Sequence, residues 1–230
     1  MHWWYRGRQR ILLQALDALA LAPRARVLDA GCGAGTLMEE LDRAGAVVSG
    51  VEADPRAAEL ARTLGAGDVL VGDVSDLPYA DATFDLVTCL DVLEHVKDDV
   101  AALRELRRVT APHGRLLVAV PNHPWLWSGH DRAAGHVRRY TPRRLLAVAG
   151  AAGWTPLAHT TFNIVLLPAM AAARLAGRRR HVPPRSSLLA TPRALDVLLE
   201  MPLRAEAAAL ARGHRLPAGL SILATLRPAS

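Results

Sequence analysis

The feature that most constrains the fold of this chain is an apolar segment that runs into three closely spaced glycines. Residues 27–35 read Val-Leu-Asp-Ala-Gly-Cys-Gly-Ala-Gly, and a second apolar segment at residues 47–52 ends in Glu52. A strand, a glycine-rich turn, a helix and a second strand with a terminal carboxylate follow one another in nucleoside-binding βαβ units. The glycines permit a sharp turn and leave room for a ligand beside the backbone. We expect Glu52 to accept hydrogen bonds from both hydroxyls of a ribose.

The rest of the sequence alternates between patterns typical of strands and patterns typical of helices. Strands are predicted at residues 26–30, 47–52, 69–72, 86–90, 116–120, 156–161 and 221–226. Helices are predicted at residues 9–21, 36–44, 55–65, 98–109 and 142–152. This alternation predicts an α/β fold with a doubly wound, mostly parallel, seven-stranded Rossmann-like sheet. Ligands of such sheets bind outside the carboxyl ends of the strands.

Four short motifs follow one another in the first half of the chain. They are Asp29-Ala-Gly31-Cys-Gly33-Ala-Gly35, Gly50-Val-Glu52-Ala-Asp54, Val71-Gly72-Asp73-Val74 and Phe84-Asp-Leu-Val-Thr-Cys-Leu-Asp91-Val-Leu-Glu94-His95-Val. The first motif lacks the third glycine of the G-x-G-x-x-G fingerprint of dinucleotide-binding proteins. Together the motifs resemble those of the class I S-adenosylmethionine (SAM) dependent methyltransferases. The alternative is a Rossmann unit that binds another nucleotide.

The resemblance also implies how the chain is organised. The last strand would run antiparallel, inserted between its two predecessors, within a single methyltransferase domain over residues 1–230. That domain would consist of an N-terminal cap helix (1–24), a Rossmann-like core (25–163), a helical insertion (164–217) and the last strand (218–228). The insertion departs from the family, which often has only a hairpin turn at that place. The N-terminal segment either closes over the site or anchors the first helix. The insertion is either two helices on the flank of the sheet or a lid that receives a lipid-like or membrane-borne substrate.

The resemblance further implies that SAM is the cofactor and suggests which residues bind it. The glycine turn would approach the methionine part of SAM, Glu52 would bind the ribose, and Asp73 would meet the adenine. Backbone groups of residues 89–91 would receive the methionine ammonium. The predicted cofactor-binding residues are Asp29, Gly31, Cys32, Gly33, Glu52, Ala53, Asp73, Val74 and Leu90. For Asp73 the alternative is a simple cap of the loop after the third strand.

A second cluster follows the fourth predicted strand. Asp91, Glu94 and His95 stand at positions i, i+3 and i+4, so they share one face if a helix begins directly after that strand. The pattern acid-x-x-Glu-His resembles one in ubiquinone-type O-methyltransferases, where it can hold a divalent metal. The alternative is that the carboxylates stabilise a helix N-terminus and His95 packs against the cofactor. We therefore predict these three residues as candidate metal ligands.

The loop at residues 121–141 holds the candidate residues on the acceptor side. Because imidazole takes up protons near neutral pH, His130 and His136 are candidate bases. The segment that starts at His136, His-x-x-Arg-Tyr-x-Pro, resembles a segment of the same ubiquinone-type enzymes, although an Asp-Tyr pair and a lysine of that segment are replaced here. The alternative is a structural role with backbone partners. The predicted catalytic residues are His136, His130 and Asp91.

These motifs predict a SAM-dependent methyltransferase that acts on a small-molecule or lipid-like acceptor. A hydroxyl oxygen is the first candidate for the methylated atom, with nitrogen or carbon in a natural product as alternatives. A non-catalytic SAM-binding protein is the competing class. The sequence after the fourth strand lacks the Asn/Asp-Pro-Pro-Tyr motif of enzymes that modify nucleic acids or proteins. The sequence as a whole does not indicate an oligomeric state.

Composition limits the partners that the sequence predicts. The net charge of +6 does not by itself predict a nucleic-acid partner, because the arginines are scattered and Lys97 is the only lysine. No apolar segment reaches the roughly 20 residues of a membrane span, and the N-terminus lacks the apolar core of a signal peptide. The two cysteines, Cys32 and Cys89, offer no disulfide framework and fit a reducing cytoplasm. Peripheral contact with a membrane stays open through the insertion.

Overall fold

The computed structural model describes residues 3–65, 67–172 and 193–229, and over residues 193–199 the backbone alone. The strands are β1 (Arg26–Ala30), β2 (Val47–Glu52), β3 (Asp68–Val71), β4 (Phe84–Leu90), β5 (Thr110–Pro121), β6 (Trp154–Phe162) and β7 (Ser221–Pro228). The helices are α1 (Trp3–Asp17), α2 (Thr36–Arg43), α3 (Pro55–Thr63), α4 (Asp99–Val109), α5 (Gly129–Ala133), α6 (Pro142–Ala151), α7 (described over 167–172) and α8 (Arg193–Ala211).

The seven strands form one sheet in the order β3-β2-β1-β4-β5-β7-β6. Neighbouring strands from β3 to β5 pair in parallel, and β7 lies antiparallel beside β6. The predicted fold is therefore confirmed, including the insertion of the last strand between its two predecessors. The strand order reverses between β1 and β4, and such a switch point is where ligands of doubly wound sheets bind.

The local sequence explains where the core elements begin and end. The central strand β4 is an almost continuous apolar run because helices cover both faces of a parallel sheet. Helix α3 begins at Pro55 because the side chain of Asp54 accepts a hydrogen bond from the Arg56 amide at 3.0 Å. Helix α4 begins in the same way, since Asp98 accepts from the Ala101 amide at 2.9 Å.

Three local predictions differ from the structure. Helix α1 begins at Trp3 and not at residue 9, because its aromatic first turn continues the helix. Strand β5 begins at Thr110, six residues before its predicted start, because the segment Pro112-His-Gly114 is accommodated by a register shift against β4. The predicted loop 121–141 contains a short 3-10 helix, Pro124–Leu126, and helix α5.

Contacts between Cα atoms divide the chain into two compact units. The first unit comprises the described residues of Met1–Ala20, Pro121–Thr141 and Thr160–Ile222, and in it α1 packs against α8. The second unit comprises the described residues of Leu21–Val120, Pro142–His159 and Leu223–Ser230. Helices α7 and α8 lie in the predicted insertion, of which residues 173–192 fall outside the described residues. The division into cap, core, insertion and last strand stays a prediction, as do both interpretations of the insertion.

Within the described ranges, no helix has both the length and the apolar character that a membrane span requires.

Candidate functional site

A cleft of about 700 Å³ opens in the second unit at the carboxyl ends of β1, β2, β3 and β4. Its volume is within the range of roughly 300 to 1,000 Å³ that is usual for small-molecule and cofactor sites. The lining residues are Gly31, Glu52, Ala53, Asp54, Gly72, Asp73, Val74, Ser75, Asp91, Val92, His95, Val96, Lys97 and Asp98. Five of these are carboxylates and one is a lysine, so the cleft favours a cationic ligand.

The glycine turn after β1 forms one wall of the cleft. Gly31 has φ +84°, and a Cβ at this position would overlap the side chain of Val92. Its amide and that of Cys32 both donate to the Val51 carbonyl, at 2.7 and 3.1 Å, which ties the turn to the end of β2. Gly33 has φ +55°, a conformation that side-chain-bearing residues adopt only with strain, and open space where its Cβ would be. The turn therefore leaves its backbone accessible at this point.

Glu52 lies at the end of β2 and is oriented by backbone donors. Its Oε2 atom accepts a hydrogen bond from the Gly33 amide at 2.8 Å, and its Oε1 atom accepts from the Asp54 amide at 2.9 Å. Because a carboxylate has about four acceptor sites, these two bonds leave capacity for ligand hydroxyls. Ala53, the next predicted cofactor residue, lines the cleft beside it.

Asp73 caps the loop after β3 and also lines the cleft. Its Oδ1 atom accepts from the Ser75 amide at 2.7 Å, so the side chain does cap the loop after β3. The residue also lines the cleft together with Val74. The capped loop fixes the position of Asp73 at the cleft.

Four predicted cofactor residues do not line the cleft directly: Asp29, Cys32, Gly33 and Leu90. Asp29 is 3 % exposed, and its Oδ1 atom accepts a hydrogen bond from Thr88 Oγ1 at 2.6 Å. Burial raises the pKa of Asp29 to about 6, the nearby charge of Glu52 adds to this, and the Thr88 hydrogen bond opposes it. Burial likewise raises the pKa of the Cys32 thiol to about 12, so that thiol stays protonated.

The segment after β4 does not form the helix that the metal prediction assumed. Residues 91–97 form turns, and α4 begins only at Asp99. Asp91 has φ +58°, in the left-handed region, and this conformation interrupts a right-handed helix. Glu94 is 1 % exposed and brings a carboxylate oxygen within 4.8 Å of a His95 ring nitrogen. Among the described residues, no cluster of three or more such ligand atoms includes Asp91.

The comparison with known proteins agrees with this arrangement. Residues 28–118 match the family model described as "Methyltransferase domain". This match covers β1 to β5, together with the glycine turn, Glu52 and Asp73. Over these residues the chain is similar to methyltransferases.

One similar protein is a ubiquinone biosynthesis O-methyltransferase of Xanthomonas oryzae pv. oryzae, 33 % identical over 156 residues. The alignment covers 61 % of this chain and 65 % of the relative, so the chain spans less than two thirds of the curated relative that it matches.

Solved structures with 23 % identity or less are similar in fold alone. The [4+2]-cyclase SpnF has a TM-score of 0.62 at 23 % identity and covers 96 % of this chain and 82 % of its own. A SAM-dependent methyltransferase of Thermotoga maritima has a TM-score of 0.63 at 18 % identity and covers 98 % and 93 %. Because one of the two is described as a cyclase, the fold does not fix the reaction.

The loop after β5 holds the predicted acceptor-side histidines, and it belongs to the first unit. His130 is exposed on α5, where its amide donates to Ser128 Oγ at 3.2 Å. The side chain of His136 is 14 % exposed, and its Nδ1 atom lies 3.3 Å from Asp131 Oδ1. His136 is therefore fixed by a carboxylate neighbour, whereas His130 lies on the surface.

Sequence reasoning missed several residues of both regions. In the cleft these are Asp54, Gly72, Ser75, Val92, Val96, Lys97 and Asp98. The rule that ligands bind at the carboxyl ends of parallel strands would have indicated residues 92–98, since they follow β4 directly.

In the loop after β5, sequence reasoning missed His123 and Asp131. His123 has φ +60°, and its amide donates to the Asn122 side chain at 2.8 Å. Burial lowers the pKa of His123, and the Arg139 charge lowers it further, so the ring is neutral at neutral pH. No sequence pattern indicates such a backbone conformation at a histidine.

Proposed function

We propose that this chain is a SAM-dependent methyltransferase that transfers a methyl group to a small-molecule or lipid-like acceptor, with a hydroxyl oxygen as the first candidate. The observation that carries the proposal is the Glu52 carboxylate, oriented by the amides of Gly33 and Asp54 at the cleft. Oxygen as the methylated atom is supported only by the name of the O-methyltransferase relative. Nitrogen and carbon acceptors remain the alternatives, and a non-catalytic SAM-binding protein is the competing class.

The residues of the cleft fit SAM on three observations. A Cβ at Gly31 would overlap Val92, which keeps the glycine backbone as the wall of the cleft. Glu52 is held with free acceptor capacity for a ribose, and Asp73 is held for a base. The carboxylate-rich lining suits a ligand with a sulfonium and an ammonium. When bound, SAM supplies an electrophilic methyl group for an in-line displacement.

The chain's own residues then have two tasks. The cleft must orient the methyl donor, since correct positioning alone supplies a large part of such a rate enhancement. If the acceptor is a hydroxyl, a base must remove its proton. We assign this task to His136, with His130 and Asp91 as the other candidates. We also propose a cytoplasmic location without a nucleic-acid partner, which the two free, buried cysteines support.

The cofactor assignment is tested by calorimetry with S-adenosylhomocysteine. We expect binding, and we expect Glu52→Ala to weaken it by about 1 to 3 kcal/mol because the ribose hydrogen bonds are lost. Glu59→Ala is the matched control, since it removes an exposed carboxylate of α3 that pairs with Arg62 outside the cleft. Tight binding of NAD without binding of S-adenosylhomocysteine would refute the proposal. Candidate acceptors can be incubated with SAM and the protein, and their methylation followed by intact-mass measurement. If S-adenosylhomocysteine binds but no acceptor is methylated, the non-catalytic class is favoured.

Metal binding by Asp91, Glu94 and His95 stays a prediction with its own test. The three side chains do not form one ligand cluster, and we assign no step of the reaction to a metal. If they hold a divalent ion, activity should disappear after dialysis against EDTA and return with magnesium or zinc. Full activity after exhaustive dialysis would instead leave Asp91 and His95 as cleft-lining residues only.

A further inference from the structure

The loop after β5 contains a fully buried carboxylate, Asp131, which is 0 % exposed. Ionisable groups are seldom buried completely unless partners compensate the lost hydration. Its Oδ2 atom accepts hydrogen bonds from the amide and the hydroxyl of Ser128, at 2.8 and 3.1 Å. Its Oδ1 atom accepts from Arg139 Nε at 2.7 Å and faces His136 Nδ1 at 3.3 Å. The Asp131 carboxylate therefore contacts both Arg139 and His136.

Helix capping explains only one of the two carboxylate oxygens. Ser128 and Asp131 form a capping box at the start of α5, and this uses Oδ2. Helix α5 has five residues, and a helix this short gains little from a cap whose charge must be desolvated completely. The contacts of Oδ1 with Arg139 and His136 add nothing to the cap. They therefore need a separate explanation.

Asp131 contacts His136 in two ways, through its carboxylate and through its main-chain carbonyl. The ring nitrogen Nδ1 faces Oδ1, and the His136 amide donates to the Asp131 carbonyl at 2.9 Å. Arg139 holds the same carboxylate from the other side and donates through Nη1 to the Asn122 carbonyl at 2.9 Å, directly after β5. With a side chain only 7 % exposed, Arg139 compensates the charge of Asp131 inside the loop. The ring of His136 therefore faces the Asp131 carboxylate, and its amide is held by the Asp131 main-chain carbonyl.

We propose that Asp131 is a positioning residue for His136. Its carboxylate accepts the Nδ1 proton, which fixes the tautomer whose Nε2 atom is unprotonated and can act as an acceptor. The inference rests on the proposed function, in which His136 is the base. The acceptor O–H bond breaks, its proton goes to Nε2, and its electron pair stays on oxygen. That oxygen bonds to the methyl carbon while the carbon–sulfur bond breaks with its pair on sulfur, giving the methyl ether, S-adenosylhomocysteine and a protonated His136.

The direct test is the tautomer of His136, read from the ¹⁵N chemical shifts of its ring in the full-length protein. We expect the Nδ1–H form in the wild type and a shift toward the Nε2–H form in Asp131→Asn. Ser128→Ala is the matched control, because it removes the hydroxyl of the cap and leaves the contact between Asp131 and His136. It should keep the wild-type tautomer. An Nε2–H form in the wild type would overturn the inference even if Asp131→Asn fails to fold.

Kinetics separate positioning from a structural role. In a serine-protease triad, an Asp-to-Asn change that leaves imidazole in the wrong tautomer lowers kcat about 10⁴-fold. Here we expect Asp131→Asn to lower kcat by about 10² to 10⁴, with S-adenosylhomocysteine affinity unchanged and Ser128→Ala close to wild type. Adding His136→Ala to Asp131→Asn should cause no further loss, since the two act as a unit.

The outcomes distinguish this inference from the proposed function. Additive losses, or equal losses in Asp131→Asn and Ser128→Ala, would overturn the positioning role while methyl transfer stands. Absence of S-adenosylhomocysteine binding would overturn the proposed function, and the tautomer measurement would still decide the geometry.

Discussion

The buried carboxyl group of Asp29 makes the stability of the folded protein depend on pH. Its carboxyl group ends β1 beneath the glycine turn, buried and bonded to Thr88. Its pKa is about 6 in the folded chain against an ordinary value of 3.8. Between these values the unfolded chain loses a proton that the folded chain keeps, so the free energy of unfolding falls as pH rises. The window lies between about pH 4 and 6, and the loss is about 3 kcal/mol.

Asp29→Asn removes this titration and keeps an oxygen that can accept from Thr88. We expect the stability of the variant relative to the wild type to increase by up to about 3 kcal/mol between pH 4 and pH 7, measured by urea unfolding at both values. Asp42→Asn, a change at an exposed carboxyl of α2, should show no comparable pH dependence. If the difference in the free energy of unfolding between Asp29→Asn and the wild type does not change with pH, burial does not raise the pKa of Asp29.

Residue roles divide clearly into those that the sequence predicts and those that it does not. Glu52 and Asp73 were predicted because their position at a strand end is encoded in the local motif. The roles of Asp131 and His123 depend on complete burial and on a left-handed backbone, respectively, and both arise only when the chain is folded. The positions of Glu52 and Asp73 at the cleft were therefore predictable from the sequence. The contacts between side chains within the loop after β5 were not.

At the scale of elements, the contact between α1 and α8 depends on a missing side chain. Gly7 lies in the middle of α1, where glycine costs about 1 kcal/mol relative to alanine. A Cβ at this position would lie 2.8 Å from Leu203 Cβ and closer still to its Cδ1 atom. Leu203 is completely buried. The glycine thus allows the two helices to approach closely.

We expect Gly7→Ala to destabilise the protein by about 1 to 3 kcal/mol, since overpacking outweighs the gain in helix propensity. Leu203→Ala should itself cost about 2 to 5 kcal/mol. The double variant should be more stable than the sum of the single changes predicts, and this is measurable by denaturant unfolding. Gly150→Ala in α6 is the control, because a Cβ there meets nothing within 4 Å. Gly150→Ala should be neutral or stabilising. Strictly additive losses of stability for Gly7→Ala and Leu203→Ala would refute direct packing of the two residues.

Elements were predicted best where periodicity and a cap agree. β1 and β2 have the predicted bounds, and α3 and α4 begin where Asp54 and Asp98 cap them. Asp91, Glu94 and His95 would share one face only in a helix directly after β4, and residues 91–97 form turns instead. The left-handed Asp91 delays α4 until Asp99.

At the scale of the whole molecule, the sheet was predictable and the division into units was not. Alternating strand and helix patterns predict a doubly wound sheet, and the family resemblance adds the position of β7. The clustering of residues 121–141 with α1 and α8 depends on contacts between segments far apart in the sequence. Sequence patterns report local periodicity, and such contacts leave no local trace.

The burial of both cysteines has a consequence for the chemical durability of the protein. Thiolates react with oxidants and alkylating reagents, and thiols with raised pKa values react slowly. Cys32 stands in the glycine turn and is 8 % exposed. Because burial raises the pKa of Cys32 and of Cys89, neither sulfur is a ready target. We therefore expect the thiol in the glycine turn to react only slowly with oxidants.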